Sequence, residues 1–111
     1  MSSIGSAVSA AVRDIETEGG ASYITSAGER YTRHAVPHYT VEARGAGKAW
    51  SLVLTHYGTP ILYASQDADG TRDSAIGPGW WGSRTDMSAI AKAHRALGMR
   101  RSIRGGRLVT W

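Results

Sequence analysis

The segment Gly77-Pro78-Gly79-Trp80-Trp81-Gly82-Ser83-Arg84-Thr85-Asp86 constrains this chain more than any other stretch. Pro78 fixes its own φ, and the glycines beside it permit backbone conformations that other residues resist. Ser83 stands three residues before Asp86, a shortened capping box, and an amphipathic run follows. The segment marks the place where a sheet hands over to a helix.

What precedes it reads as sheet. Tyr39, Val41 and Ala43 alternate with Thr40, Glu42 and Arg44, the period of a half-buried strand. Trp50, Leu52 and Leu54 repeat the pattern, and Gly45-Ala46-Gly47 fits the connection between the two runs. Tyr57-Gly58-Thr59-Pro60 turns the chain again, Pro60 opens the strand continued by Ile61 to Ala64, and Asp67-Ala68-Asp69-Gly70 leads to a weaker strand over 71–76. The prediction is an antiparallel meander of three to four strands over 39–76. Upstream, Tyr23-Ile24-Thr25 and the run Tyr31 to Val36 have strand character around a turn-like Ser26 to Glu29, with Pro37 ending the second run.

Two helices flank the sheet. Ile4, Val8, Val12 and Ile15 share one face of a helix over 1–19, capped by Ser2 or Ser3 and stopped by Gly19-Gly20. Asp14, Glu16 and Glu18 crowd its C-terminal end, where carboxylates oppose the helix dipole. Met87, Ile90, Ala91, His94 and Leu97 define a second helix over 84–97, with Lys92 and Arg95 outward and Gly98 at C′. Residues 99–111 form a basic tail, in which Leu108-Val109-Thr110-Trp111 returns as a short strand or packs its indole on the body. The expected architecture is a single α+β domain with the second helix packed on one sheet face. Its core holds Trp50, Leu52, Leu54, Ile61, Tyr63, Met87, Ile90 and Leu97.

Composition sets the outer limits. A chain of 111 residues with 41% apolar content supports one domain with a small core. Phe is absent, so four tryptophans and five tyrosines carry all the aromatic bulk. The absence of cysteine excludes disulfides, thiolate zinc sites and cysteine nucleophiles. No apolar run approaches the roughly 20 residues of a membrane span, and the N-terminus has no secretory pattern. A cytoplasmic protein with no membrane partner is expected.

Catalytic and metal-binding patterns each have a simpler explanation. His34 and His38 have the i, i+4 spacing of helical zinc ligands, but Pro37 lies between them, and His56 has no partner nearby in sequence. Ser83, His94 and Asp86 form no triad, because Ser83 and His94 stand about 16 Å apart along one helix. Ser83 and Asp86 are expected to serve as helix caps, and His94 as a core-edge histidine. Gly77-Pro78-Gly79 lacks the Gly-Lys-Ser/Thr of a phosphate loop, and the acidic turn at Asp67 lacks the closing glutamate of a calcium loop. No enzyme, cofactor or metal is expected.

Charge is the stronger signal. The net charge is +4, and from Arg84 to the end there are seven bases against the single acid Asp86. Eleven of the thirteen bases are arginine, which a GC-rich coding sequence also produces. The expected binding surface comprises Trp80, Trp81, Arg84, Lys92, Arg95, Arg100, Arg101, Arg104, Arg107 and Trp111. Arginine beside aromatic rings serves both single-stranded nucleic acid binding and protein hot spots.

The order Tyr57-Gly58-Thr59-Pro60-Ile61, then Trp80 or Trp81, then Ser83-Arg84-Thr85, then His94 resembles a group of small phage and plasmid accessory proteins. These share a YxTxI hairpin, a tryptophan, and a Ser-x-Thr helix start. The resemblance spans residues 48–98; the doubled tryptophan with Gly-Pro-Gly and the long second turn depart from the pattern. It implies a non-enzymatic mobile-element protein that binds and inhibits a host protein or protein–nucleic-acid complex. It carries over no catalytic residue. The alternatives are a DNA- or RNA-binding protein using the same basic patch, and a small structural or assembly subunit.

Overall fold

The computed structural model describes residues 3–17, 23–26, 28–77, 83–104 and 107–110, without the side chains of Ser102 and Arg104. In chain order the elements are α1 (Ile4–Glu16), β1 (Tyr23–Ile24), β2 (Arg30–Val36), β3 (Tyr39–Ala46), β4 (Ala49–His56), β5 (Thr59–Gln66), β6 (Arg72–Ile76), α2 (Arg84–Ala96), β7 (Arg101–Arg104) and β8 (Arg107–Thr110). Strands β1 to β6 form one antiparallel sheet in sequential order, and β7 and β8 form a separate hairpin within the basic tail.

The α+β expectation holds, but the sheet has six strands rather than three to four. The outer strands hide their alternation because their inward positions are polar. Thr32 and His34 in β2, and Arg72 and Ser74 in β6, point toward the helices and hydrogen-bond there. An apolar count reads such strands weakly, and the sheet gains β1 and β2, whose strand character was expected outside the 39–76 meander.

Tight turns fix the register. Val36 pairs with Tyr39, Ala46 with Ala49 and His56 with Thr59, leaving two-residue connections at Pro37-His38, Gly47-Lys48 and Tyr57-Gly58. The second turn is therefore Gly47-Lys48, and Gly45 belongs to β3, opposite Trp50. A Cβ on Gly45 would stand 2.2 Å from the Ala49 carbonyl oxygen and 2.5 Å from the Trp50 Cα, so only glycine fits. Pro37 ends β2, as expected, and occupies the first turn position, where its fixed φ is useful and no ladder donor is needed.

Strand β5 contains a bulge. Leu54 pairs with Leu62 and Thr55 with Pro60, so Ile61 is the extra residue. Both Ile61 and Leu62 are buried, and the inward phase passes to Leu62, Ala64 and Gln66. Tyr63, expected in the core, lies on the opposite face and is exposed. Met87 is only partly buried, whereas Trp50, Leu52, Leu54, Ile61, Ile90 and Leu97 are core as expected.

Both helices cover the same sheet face. Val8, Ala11 and Ile15 of α1 and Ala89, Ile90 and Ala93 of α2 join Val41, Leu52, Leu54 and Leu62 in one apolar cluster. Ser3 caps α1, its hydroxyl accepting from the Ser6 amide at 3.1 Å. The helix stops at Glu16 because Thr17 turns extended; Gly19-Gly20 lies outside the described residues. Ser83 caps α2 by accepting from the Asp86 amide at 3.0 Å. Gly98, at φ 70°, closes α2 with amide bonds from Gly98 to the Arg95 carbonyl and from Met99 to the His94 carbonyl. Among the described residues, no helix is long and apolar enough to cross a membrane.

Candidate functional site

Each helix is tied to the sheet by an aspartate and a histidine. On α1, Asp14 Oδ2 accepts from His34 Nε2 at 2.7 Å and from the Thr32 hydroxyl at 2.6 Å. On α2, Asp86 Oδ1 accepts from His56 Nδ1 at 2.9 Å and from the Tyr39 hydroxyl at 3.1 Å. Burial, and then the bond to Asp86, push the Tyr39 phenol up to about 12. Glu16 accepts from Trp50 Nε1 at 3.1 Å and from Gln66 Nε2 at 3.0 Å. Two of the acids that crowd the wrong end of α1 thus have sheet partners that outweigh the dipole, which is worth only ~0.3–1 kcal/mol at a helix end. Glu18 lies outside the described residues.

The Asp86 cluster reaches the surface at one end of the sheet. The rings of Tyr39 and His56 stack with centroids 4.5 Å apart, and those of His56 and Tyr57 at 4.8 Å. Tyr57 meets His38 edge-on at 5.1 Å, and its hydroxyl hydrogen-bonds His38 Nδ1. His38 and Tyr57 both adopt left-handed backbone, at φ 71° and 50°, which is rare for side chains of this bulk. Tyr57 is 73% exposed. The result is a fixed aromatic rim formed by two adjacent hairpin tips.

His94 forms a third, sealed arrangement. Its ring is fully buried, with Nε2 2.8 Å from Ser74 Oγ, while Nδ1 has no partner among the described residues. Burial, and then the Arg101 charge, hold it down to about 4. A serine and a histidine in contact here make no working nucleophile pair: the ring is too weak a base near neutral pH, and among the described residues no carboxylate orients it.

The outer surface of the helix layer is cationic. Arg84, Lys92 and Arg95 are exposed and follow one outward stripe of α2 at helical spacing. Arg13 is exposed on α1. Between the helices runs an open groove of about 620 Å³, lined by Arg13, Lys92 and Arg95 together with Ser3, Ser6 and Ser9. The buried aspartates of both helices face the sheet, and among the described residues no carboxylate lines this groove. Among the described residues, Arg13, Lys92 and Arg95 have no ion-pair partner.

Of the residues expected to form one basic surface, most of those described are exposed and one is bound internally. Arg84, Lys92, Arg95 and Arg100 are exposed, and Arg107 is exposed on β8. Arg101 is bound internally: Nη1 donates to the Ser74 carbonyl at 3.0 Å and to Ser74 Oγ at 2.9 Å, and pairs with Asp73 at 2.9 Å. Trp80, Trp81, Trp111 and the Arg104 side chain lie outside what is described. Sequence reasoning missed Arg13 and the α1 serines, although Ser6, Ser9 and Arg13 recur at i+3 and i+4 spacings on the polar face of a helix whose apolar face was identified. It also assigned Asp86 to capping. An aspartate is shorter than the glutamate a capping box uses, and here its carboxylate turns to the sheet.

Against known protein families, curated proteins and solved structures, the chain matches none.

Proposed function

We propose that this protein is a non-enzymatic binding module that holds an acidic macromolecule against its cationic helix face. One observation carries the proposal: three exposed cations from two helices surround one groove, and none has an acidic partner among the described residues. Unpaired charge of one sign on one surface raises the local concentration of oppositely charged partners and speeds their encounter. Arg84 extends the same α2 stripe, and Arg100 stands exposed just beyond the helix end. The three histidines that tie a helix to the sheet, His34, His56 and His94, serve the fold, which supports a module without catalysis. The resemblance to phage and plasmid accessory proteins favours a host complex as the target and inhibition as the outcome.

The aromatic rim carries a second reading, in which a protein target docks at the rim instead of at the helix face. Tyr57 is large, exposed and hydrogen-bonded to His38, as an aromatic interface anchor would be. The test is capture from bacterial lysate, with and without nuclease, by the wild type, by Arg13→Ala/Lys92→Ala/Arg95→Ala, and by Tyr57→Ala. Loss of the captured partner in the triple variant supports the cationic face. Retention there with loss in Tyr57→Ala transfers binding to the rim.

A further inference from the structure

We infer that the groove between α1 and α2 is a seat for the phosphodiester backbone of a nucleic acid. This inference rests on the cationic-face proposal above and narrows it from acidic partners in general to phosphate.

The lining is the first reason. Three cations share the groove with hydroxyls: Ser6 and Ser9 on α1 line it together with Arg13, Lys92 and Arg95. Guanidinium, ammonium, hydroxyl and helix N-terminal groups make up the set that grips phosphate oxygens. Ser3 donates its hydroxyl hydrogen to Ser6 Oγ at 3.1 Å, so the Ser6 hydroxyl keeps its own hydrogen for a ligand.

Shape is the second. From Ser3 to Arg13 the groove follows about 15 Å of helix at 1.5 Å rise per residue. It is open to solvent and matches an extended chain better than a compact ligand. The remaining lining residues are Gly5, Ala10 and Ala96. Among the described residues no aromatic or large apolar side chain lines the groove, so they offer hydroxyls and cations but no seat for a base or an acyl chain. Contact confined to the backbone gives binding without sequence preference.

The experiment measures binding of fluorescent single-stranded dT12, a 12-base-pair duplex and a poly-glutamate of equal charge, by anisotropy over a salt series. Wild type, Ser6→Ala/Ser9→Ala and Arg13→Ala/Lys92→Ala/Arg95→Ala are compared, with circular dichroism to confirm that each is folded. The expected result is at least tenfold tighter binding of one or both oligonucleotides than of poly-glutamate. The cation variant should lower the duplex salt slope by about 2–3, the value for three lost phosphate contacts. The serine variant should weaken oligonucleotide binding about two- to fivefold, with poly-glutamate unchanged. Equal affinity for poly-glutamate together with no serine effect overturns the phosphate inference while leaving the cationic face in place. No binding of any polyanion, or binding indifferent to the cation variant, overturns both.

Discussion

His56 and Asp86 meet at 2.9 Å between Nδ1 and Oδ1, joining the end of β4 to the first turn of α2. The Asp86 side chain is only 5% exposed, and the Tyr39 hydroxyl shares the same oxygen. Removing a buried acceptor that serves two donors strands both of them. Asp86→Ala is expected to cost about 3 kcal/mol in urea unfolding. In Asp86→Asn the Tyr39 phenol should titrate below its wild-type value of about 12, though not fully down to 10, because burial is the larger cause. Tyrosinate absorbance reads this; an unchanged titration curve would mean the bond is not formed in solution.

His94 makes stability depend on pH with a definite sign. The unfolded ring takes up a proton near its ordinary value of 6.5, whereas burial and then Arg101 delay protonation in the folded chain to about 4. The unfolded state therefore binds more protons across this window. The contribution is fully present above about pH 6.5 and is lost as pH falls toward 4, on the order of 3 kcal/mol in all. Urea unfolding at several pH values should show a shallower decline in His94→Gln than in the wild type. Parallel declines would assign the titration to another group.

Gly45 and Gly47 stand two residues apart and should respond differently to alanine. A Cβ at Gly45 collides with the backbone of Ala49 and Trp50, which cannot move without breaking the β3–β4 ladder. Gly45→Ala should cost about 3 kcal/mol. At Gly47, φ is 62° and the space is open, so only the conformational penalty applies, about 1 kcal/mol. Thermal melts of the two variants give the comparison, and equal losses would contradict the register.

Arg101 and Arg95 separate folding from binding. Arg101→Ala removes two bonds to Ser74 and should lower stability by about 1–2 kcal/mol. Its pair with exposed Asp73 adds little. Arg95→Ala lies at an exposed position and should change stability by no more than about 0.5 kcal/mol while weakening capture of an acidic partner. The reverse pattern would move the binding face to the β7–β8 hairpin.

The sequence was legible where apolar periodicity is unbroken. The apolar faces of α1 and α2, the Ser83 cap, the Gly98 stop and the strands around Trp50 to Leu54 all follow from spacing. It was illegible where polar groups point inward. Thr32 and His34 make sense only with Asp14 across from them, and Ser74 only with His94. The Ile61 bulge misplaced Tyr63, because one extra residue reverses every later side chain in a strand. At the candidate site the outward cations of α2 could be read from the chain. Their meeting with Arg13 could not, since helix-to-helix placement is a tertiary fact.

In the proposed function the helix layer, rather than the open sheet face, meets the partner. Site-specific photocrosslinking tests it most directly, with the crosslinker placed at Ser9 in the groove or at Tyr63 on the opposite sheet face. In bacterial lysate, discrete adducts from position 9 that vanish in the Arg13→Ala/Lys92→Ala/Arg95→Ala background are the predicted result. Adducts from position 63 with none from position 9 would contradict it and place the interface on the sheet.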